Sequence, residues 1–187
     1  MDSEIIVNKE KLENSPLEIY YLGDRSLRQS AKRVAKVDSD MRKLVREMLQ
    51  TMYTADGIGL AAPQVNVQKQ VIVIDCEPTN SATPPLVLIN PTIKKYSNDI
   101  CLFQEGCLSI PGVYLDVQRP SEIEVAYKDE NGRPQTLQAQ ELLSRAIQHE
   151  MDHLQGILFV DRVENKLALN EELAKYKFSA KDVRSIA

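Results

Sequence analysis

The stretch Gln148-His149-Glu150-Met151-Asp152-His153 holds both histidines of this 187-residue chain, four positions apart. It lies in a predicted helix over residues 141–154 that ends at Gly156, and apolar residues occupy most of the helix circumference. A helix that is apolar nearly all round is usually buried. Positions i and i+4 lie on one helix face, about 40° apart, so the two imidazoles can bind one metal ion. The stretch therefore predicts a buried helix with a metal site.

Glu150 follows the first histidine and lies about 100° around the helix from it. From this position its carboxylate can reach a water molecule on the metal without being a ligand itself. Such a carboxylate can act first as general base and then as general acid. The alternative is that His149 and His153 are ordinary core residues. The spacing combined with the intervening glutamate favours the metal site.

The third metal ligand is not decided by this stretch. A catalytic site usually takes three protein ligands and leaves one position to water, and the chain has no third histidine. The remaining candidates are three downstream glutamates and three upstream cysteines: Glu164, Glu171, Glu172, Cys76, Cys101 and Cys107. A glutamate ligand would indicate a zinc endopeptidase. A site in which Glu150 has no catalytic task would indicate a binding module stabilised by metal.

The composition excludes several classes of protein. With 43% hydrophobic and 27% charged residues, the chain is not expected to be disordered. The longest apolar runs, residues 71–74 and 86–89, are far shorter than a membrane span. A net charge of −4 attracts phosphate backbones weakly, so we expect no direct nucleic-acid substrate. The polar N-terminus and the three cysteines predict reduced thiols and a cytoplasmic location.

The remaining pattern predicts an α+β domain. Apolar periodicity places a helix over residues 38–55, capped by Asp38 or Ser39. Strands are expected at residues 71–75 and 86–90, with a hairpin at residues 123–127 and 136–139. We expect one catalytic domain over residues 1–187, with a polar N-terminal arm (about residues 1–16) and a C-terminal tail (about residues 165–187). We interpret the tail as a solvated terminus rather than a helix or a ribosome-facing arm.

Two glycine-bearing segments flank this strand-rich region. Residues 57–64 read G-I-G-L-A-A-P-Q, and residues 105–111 read E-G-C-L-S-I-P. Glycines let a backbone approach a ligand closely. Gln64 offers two N–H donors suited to an oxyanion. Taken alone, the first segment is more typical of a tight helix-to-strand turn than of a ligand site, and Cys107 is more typical of a buried thiol.

The two segments and the histidine stretch together resemble the three signature motifs of peptide deformylases. Those motifs run G-x-G-x-A-A-x-Q, E-G-C-x-S and Q-H-E-x-D-H, and every fixed position is matched here in the same order. Gly112 and the short tail are similar to the plastid and cyanobacterial branch. The resemblance implies antiparallel or mixed sheets wrapped around a central helix that carries the histidine motif. It also implies removal of the formyl group from the formyl-methionine of newly made proteins, with release of formate.

The resemblance further implies a role for each motif residue. Cys107, His149 and His153 would bind one divalent metal ion, iron(II) in related proteins, with zinc(II) or nickel(II) as substitutes. Glu150 would be the proton-transfer group. The Gln64 side chain and the Leu108 backbone N–H would stabilise the oxyanion. The implied partners are formyl-methionyl peptides of nascent chains and, through them, the ribosome near its exit tunnel.

Substrate contacts are expected from the motif loops and from the histidine face of the helix. The residues assigned to this role are Ile58, Gly59, Phe103, Glu105, Gly106, Leu142 and Ala146. We expect the peptide to add as a strand along residues 57–59 or 106–110. Glu105 is either paired with Arg119, which would orient the cysteine loop, or both are solvated surface charges.

Overall fold

The computed structural model describes residues 7–187, so the first six residues of the predicted N-terminal arm lie outside the described part of the chain. The described residues form seven strands: β1 (Gly59–Ala61), β2 (Val71–Ile74), β3 (Leu86–Tyr96), β4 (Ile100–Cys107), β5 (Ile110–Pro120), β6 (Glu122–Lys128) and β7 (Pro134–Gln140). Five of them form an antiparallel sheet in the order β1-β2-β3-β6-β7. β4 and β5 form a separate antiparallel pair.

Three α-helices accompany these strands in the described residues: α1 (Ser39–Thr54), α2 (Glu141–His153) and α3 (Lys166–Lys175). Helix α1 begins where predicted, because the Asp38 side chain accepts a hydrogen bond from the Met41 backbone N–H at 3.0 Å. Its buried face includes Val45, Met48 and Met52. This face packs with residues of β2 and β3, as the apolar period indicated.

Helix α2 lies between the two sheets and carries the histidine motif. On one side, Ala146 and Ile147 pack with Ile72 and Val125 of the large sheet. On the other side, Arg145 donates a hydrogen bond of 2.9 Å to the Val117 carbonyl of β5. This position between two sheets explains why α2 buries polar as well as apolar side chains. The predicted α+β fold with a central histidine-bearing helix is therefore confirmed.

The C-terminal tail departs from the prediction. It is not a solvated terminus, because residues 166–175 form α3 and bury Leu169 and Leu173 against the β4–β5 side of the molecule. These leucines are four residues apart and share one helix face, so their burial against Val113 and Val117 outweighs the surrounding charges. No helix among residues 7–187 has the length and apolar character needed to cross a bilayer.

Candidate active site

A thiol and two imidazoles converge at the centre of the molecule. Cys107 ends β4, and His149 and His153 lie on the same face of α2. One ligand atom from each residue lies within 4.8 Å of the other two, and Cys107 Sγ is 3.4 Å from His153 Nε2. Among the described residues, this is the one group of histidine, cysteine or acidic side chains with such geometry.

The donor atoms of Cys107, His149 and His153 are chemically suited to bind a metal ion. One thiolate and two imidazoles form a donor set that binds zinc and other transition metals. His149 Nδ1 lies 2.9 Å from Glu105 Oε2, which leaves Nε2 as the ligand nitrogen of this ring. The His149 ring stacks on Phe159 with centroids 5.9 Å apart, so its orientation is fixed from two sides. Neither Glu164, Glu171 nor Glu172 belongs to the group.

Cys107, His149 and His153, which we call the metal group, lie next to a network of buried charged side chains. Arg119 donates to both carboxylate oxygens of Glu105, at 2.6 and 2.9 Å, and to Asp152 at 2.8 Å. Arg145 donates to Glu105 at 2.7 Å, and Arg162 donates twice to Asp152 at 2.7 Å. Burial alone would raise the pKa of Glu105, but hydrogen bonds from Arg119 and His149 hold it well below its usual range. The predicted Glu105–Arg119 pair is present, and the alternative of two solvated charges is wrong.

Replacing Arg119 with alanine is expected to destabilise the protein by about 3–5 kcal/mol, because it leaves Glu105 and Asp152 buried with fewer partners. Metal content should also fall, since Glu105 orients His149. Thermal unfolding and metal analysis measure both effects. Arg46→Ala, on the exposed face of α1, is the matched control. Unchanged stability and metal content in Arg119→Ala would contradict the role of this network.

Glu150 is held against the backbone of β1. A Cβ built on Gly59 would collide with Glu150 Oε1 and lie 3.0 Å from its Cδ, so the glycine makes room for this carboxylate. Glu150 Oε2 is buried, and no hydrogen-bond partner for it is found among the described residues. Burial raises the pKa of Glu150 to about 7. A buried carboxylate with a free oxygen and a pKa near neutrality is suited to proton transfer.

Gln64 is fixed beside the metal group. Its Oε1 accepts a hydrogen bond of 2.8 Å from the Ala61 backbone N–H, which directs the amide nitrogen toward the opposite side. Nε2 donates to Ser109 Oγ at 3.1 Å and lies 3.4 Å from Cys107 Sγ. Leu108 is the residue after Cys107, and its side chain packs over Gly57, where a Cβ would lie 2.6 Å from Leu108 Cδ1. The Gln64 side-chain N–H and the backbone turn at Leu108 thus lie on either side of the Cys107 thiol.

Cys107, Leu108, His149 and Glu150 line one cleft of about 590 Å³, whereas Gln64 and His153 are buried behind its lining. Most of the predicted substrate residues line it: Ile58, Gly59, Glu105, Gly106, Leu142 and Ala146. Phe103 does not line it and is 63% exposed, with its ring 5.8 Å from the Arg145 guanidinium carbon. Phe103 pairs with Val117, and the part of β4 that lines the cleft begins at the next residue, Gln104.

Sequence reasoning missed the outer part of the cleft. Tyr21, Asp56 and Tyr114 also line it, and they come from three separate parts of the chain. Tyr114 lies against Gly106, where a Cβ would be 2.8 Å from its Cδ1. The glycine at position 106 was the available signal for a close approach, but nothing in the sequence identified Tyr114 as the neighbour.

Comparisons with known proteins agree with this geometry. The family model described as polypeptide deformylase matches residues 16–168. A peptide deformylase from Nostoc sp. is 67% identical over the whole of both chains, and one from Microchaete diplosiphon is 66% identical, also over the whole of both. The crystal structure of a peptide deformylase from Synechococcus elongatus in complex with actinonin has a TM-score of 0.97 and 62% identity, covering 98% of this chain and 100% of that one. A plant peptide deformylase structure has a TM-score of 0.79 and 37% identity, covering 90% and 95%.

Proposed function

The chain belongs to the polypeptide deformylase family, of the cyanobacterial type, and on this premise we propose how its residues remove the formyl group from the N-terminal formyl-methionine of newly made proteins. The observation that carries the proposal is the position of Glu150. Glu150 lines the same cleft as Cys107 and His149, and its buried Oε2 has no hydrogen-bond partner among residues 7–187. The endopeptidase alternative is not favoured, because Cys107 completes the metal group without a downstream glutamate.

Cys107, His149 and His153 would hold one divalent metal ion, and the enzyme is metal-dependent. When bound, the ion supplies a water molecule of lowered pKa and polarises the formyl oxygen. Iron(II) is our proposal for the native ion, on the family resemblance. A donor set of one thiolate and two imidazoles also accepts zinc(II) and nickel(II), which we expect to replace it.

Glu150 is proposed to accept the proton of the attacking water and to deliver it to the leaving amine. Its buried position keeps the proton within the cleft, and its pKa near 7 lets it take up and release a proton at neutral pH. The Gln64 amide N–H and the Leu108 backbone N–H would donate to the oxygen of the formyl group as negative charge develops there. Gln64 is suited to this task because Ala61 holds its Oε1 in place.

The substrate is proposed to lie along the cleft as an added strand. The methionine side chain would enter between Ile58, Leu142 and Ala146, which together give an apolar lining. Backbone hydrogen bonds would form with residues 57–59 or with the end of β4 near Gly106. Because the substrate is a nascent chain, we propose that the enzyme acts in the cytoplasm, close to the ribosome exit tunnel.

The test is formate release from a formyl-Met-Ala-Ser peptide by protein purified without oxygen, since iron(II) beside a thiolate is prone to oxidation. Glu150→Ala is assayed in parallel, with metal content measured in both proteins. Rapid release by the parent alone supports both the reaction and the role of Glu150. A metal-loaded parent that releases no formate would overturn the proposal.

Gly59→Ala is expected to lower kcat/KM by about 100-fold, the loss that a small displacement of a catalytic group can cause. The added methyl group would push the Glu150 carboxylate from its place, whereas the metal ligands stay in position. Formate release and metal analysis of the variant measure this. Ala174→Gly, at an exposed position of α3, is the control for a change of one methyl group away from the cleft. Wild-type activity in Gly59→Ala would show that the contact does not set the position of Glu150.

A further inference from the structure

The ammonium group of Lys9 is enclosed by oxygen atoms from a distant loop. Lys9 Nζ donates to the carbonyl oxygens of Thr83 at 2.7 Å and Asn80 at 2.8 Å, and lies 3.4 Å from that of Glu77. It also lies 2.6 Å from Asp75 Oδ2. The Lys9 side chain is only 14% exposed, although it belongs to the polar N-terminal arm. Four oxygen atoms thus surround one compact cation.

The loop is organised so that its carbonyls converge. The Asn80 backbone N–H donates to the Glu77 carbonyl at 2.9 Å, and Thr83 Oγ1 donates to Glu77 Oε2 at 2.6 Å. Asn80 Nδ2 donates to both Glu77 Oε2 and Thr83 Oγ1. A lysine ammonium is a point charge with three donors, so it suits such a shell better than a planar guanidinium does. We call residues 75–83, whose oxygen atoms surround the Lys9 ammonium, the oxygen cage.

Asp75 connects the oxygen cage to the wall of the cleft. Its side chain is buried and accepts hydrogen bonds from the Tyr53 hydroxyl at 2.7 Å and the Glu77 backbone N–H at 2.9 Å. Its own backbone N–H donates to the Ile58 carbonyl at 2.8 Å. Ile58 lines the cleft and precedes Gly59, which contacts Glu150. The chain of contacts therefore runs from Lys9 through Asp75 to the proposed substrate-binding edge.

We propose that Lys9 is a positioning residue for deformylation: its ammonium is the central cation of the oxygen cage, and through Asp75 it holds the cleft wall at Ile58. The inference rests on the proposed function of the cleft. Lys9 precedes residues 16–168, the part of the chain that the family model matches. Without this cation, the Asp75 carboxylate stays buried and loses its one positively charged partner within residues 7–187. We then expect the hydrogen bond between the Asp75 backbone N–H and the Ile58 carbonyl to open more often, which loosens the cleft wall at Ile58.

The variant Lys9→Met tests this proposal, because methionine keeps the apolar stem and removes the charge. At 20 °C we expect KM for formyl-Met-Ala-Ser to rise about three- to tenfold, with kcat and metal content unchanged, since the wall orients substrate but carries no reacting group. Hydrogen exchange of the Asp75 amide, measured without substrate, should be faster. Lys43→Met is the matched control, because Lys43 is 70% exposed on α1 and its partner Glu47 is 3.8 Å away.

A double-mutant cycle with Asp75→Asn separates positioning from general destabilisation. If Lys9 acts through Asp75, the KM of the double variant is lower than the product of the two single effects predicts. Additive effects, or a Lys9→Met protein that melts at lower temperature with unchanged KM and unchanged Asp75 exchange, would overturn the inference. Failure of the proposed function is distinguishable, because the parent protein would then release no formate at all.

Discussion

Glu150→Gln is expected to lower kcat for deformylation by about 1,000-fold, within the range of 10²–10⁴ typical of a general acid–base group. The amide has nearly the shape of the carboxylate, so it fits the space that Gly59 leaves open. It cannot accept the proton of the attacking water. Metal content and thermal stability should remain those of the parent, because Glu150 is not part of the ligand group. Steady-state formate release and metal analysis are the measurements.

Glu141→Gln provides the control for this prediction. Glu141 is exposed at the start of the same helix, and its replacement makes the same chemical change eight to nine residues from the site. A Glu150→Gln variant with more than a tenth of the parental kcat would show that another group transfers the proton. Loss of metal together with activity would instead place Glu150 among the groups that hold the ion.

The variant Cys107→Ala is expected to lose metal and, with it, all measurable deformylase activity. Changes in groups that merely orient ligands cost about 10- to 100-fold in metal affinity, and loss of a ligand should cost more. The experiment is metal analysis after dialysis against a weak chelator. Cys101→Ala is the control, because that thiol is exposed and lies outside the ligand group. Stoichiometric metal in dialysed Cys107→Ala would revive the endopeptidase interpretation, with a glutamate as third ligand.

Local patterns predicted α1, α2 and the histidine face well, but not α3. The spacing of His149 and His153 fixes their relative position, because a helix has a regular period. The cap at Asp38 and the apolar stripe of α1 are also local properties of the chain. The place of Cys107 beside them depends on how the β4–β5 pair packs against α2, which no local pattern contains. The three motifs matched the family only when taken together.

The parts that could not be predicted depend on tertiary packing. Arg145 and Arg162 have no sequence signal that distinguishes them from surface arginines, yet they complete the buried network around Glu105 and Asp152. Proximity to the cysteine motif in sequence predicts that Phe103 lies in the cleft, but its side chain is exposed and outside the cleft lining. Leu169 and Leu173 were expected to be solvated but are buried. Their spacing of four residues is a helical signal, but the charged residues around them obscured it.

The close packing of Gly59 against Glu150 also limits how this enzyme can evolve under selection by an inhibitor that occupies its cleft. One way to escape such a compound is to enlarge a side chain that lines the binding pocket, so that the compound no longer fits. At position 59 every enlargement displaces the group proposed to transfer the proton, so the resistant mutant would lose the reaction it needs. Escape by substitution would have to arise at positions such as Leu142, which is 46% exposed at the cleft rim. A compound whose contacts concentrate on the backbone of β1 would therefore leave the fewest routes to resistance.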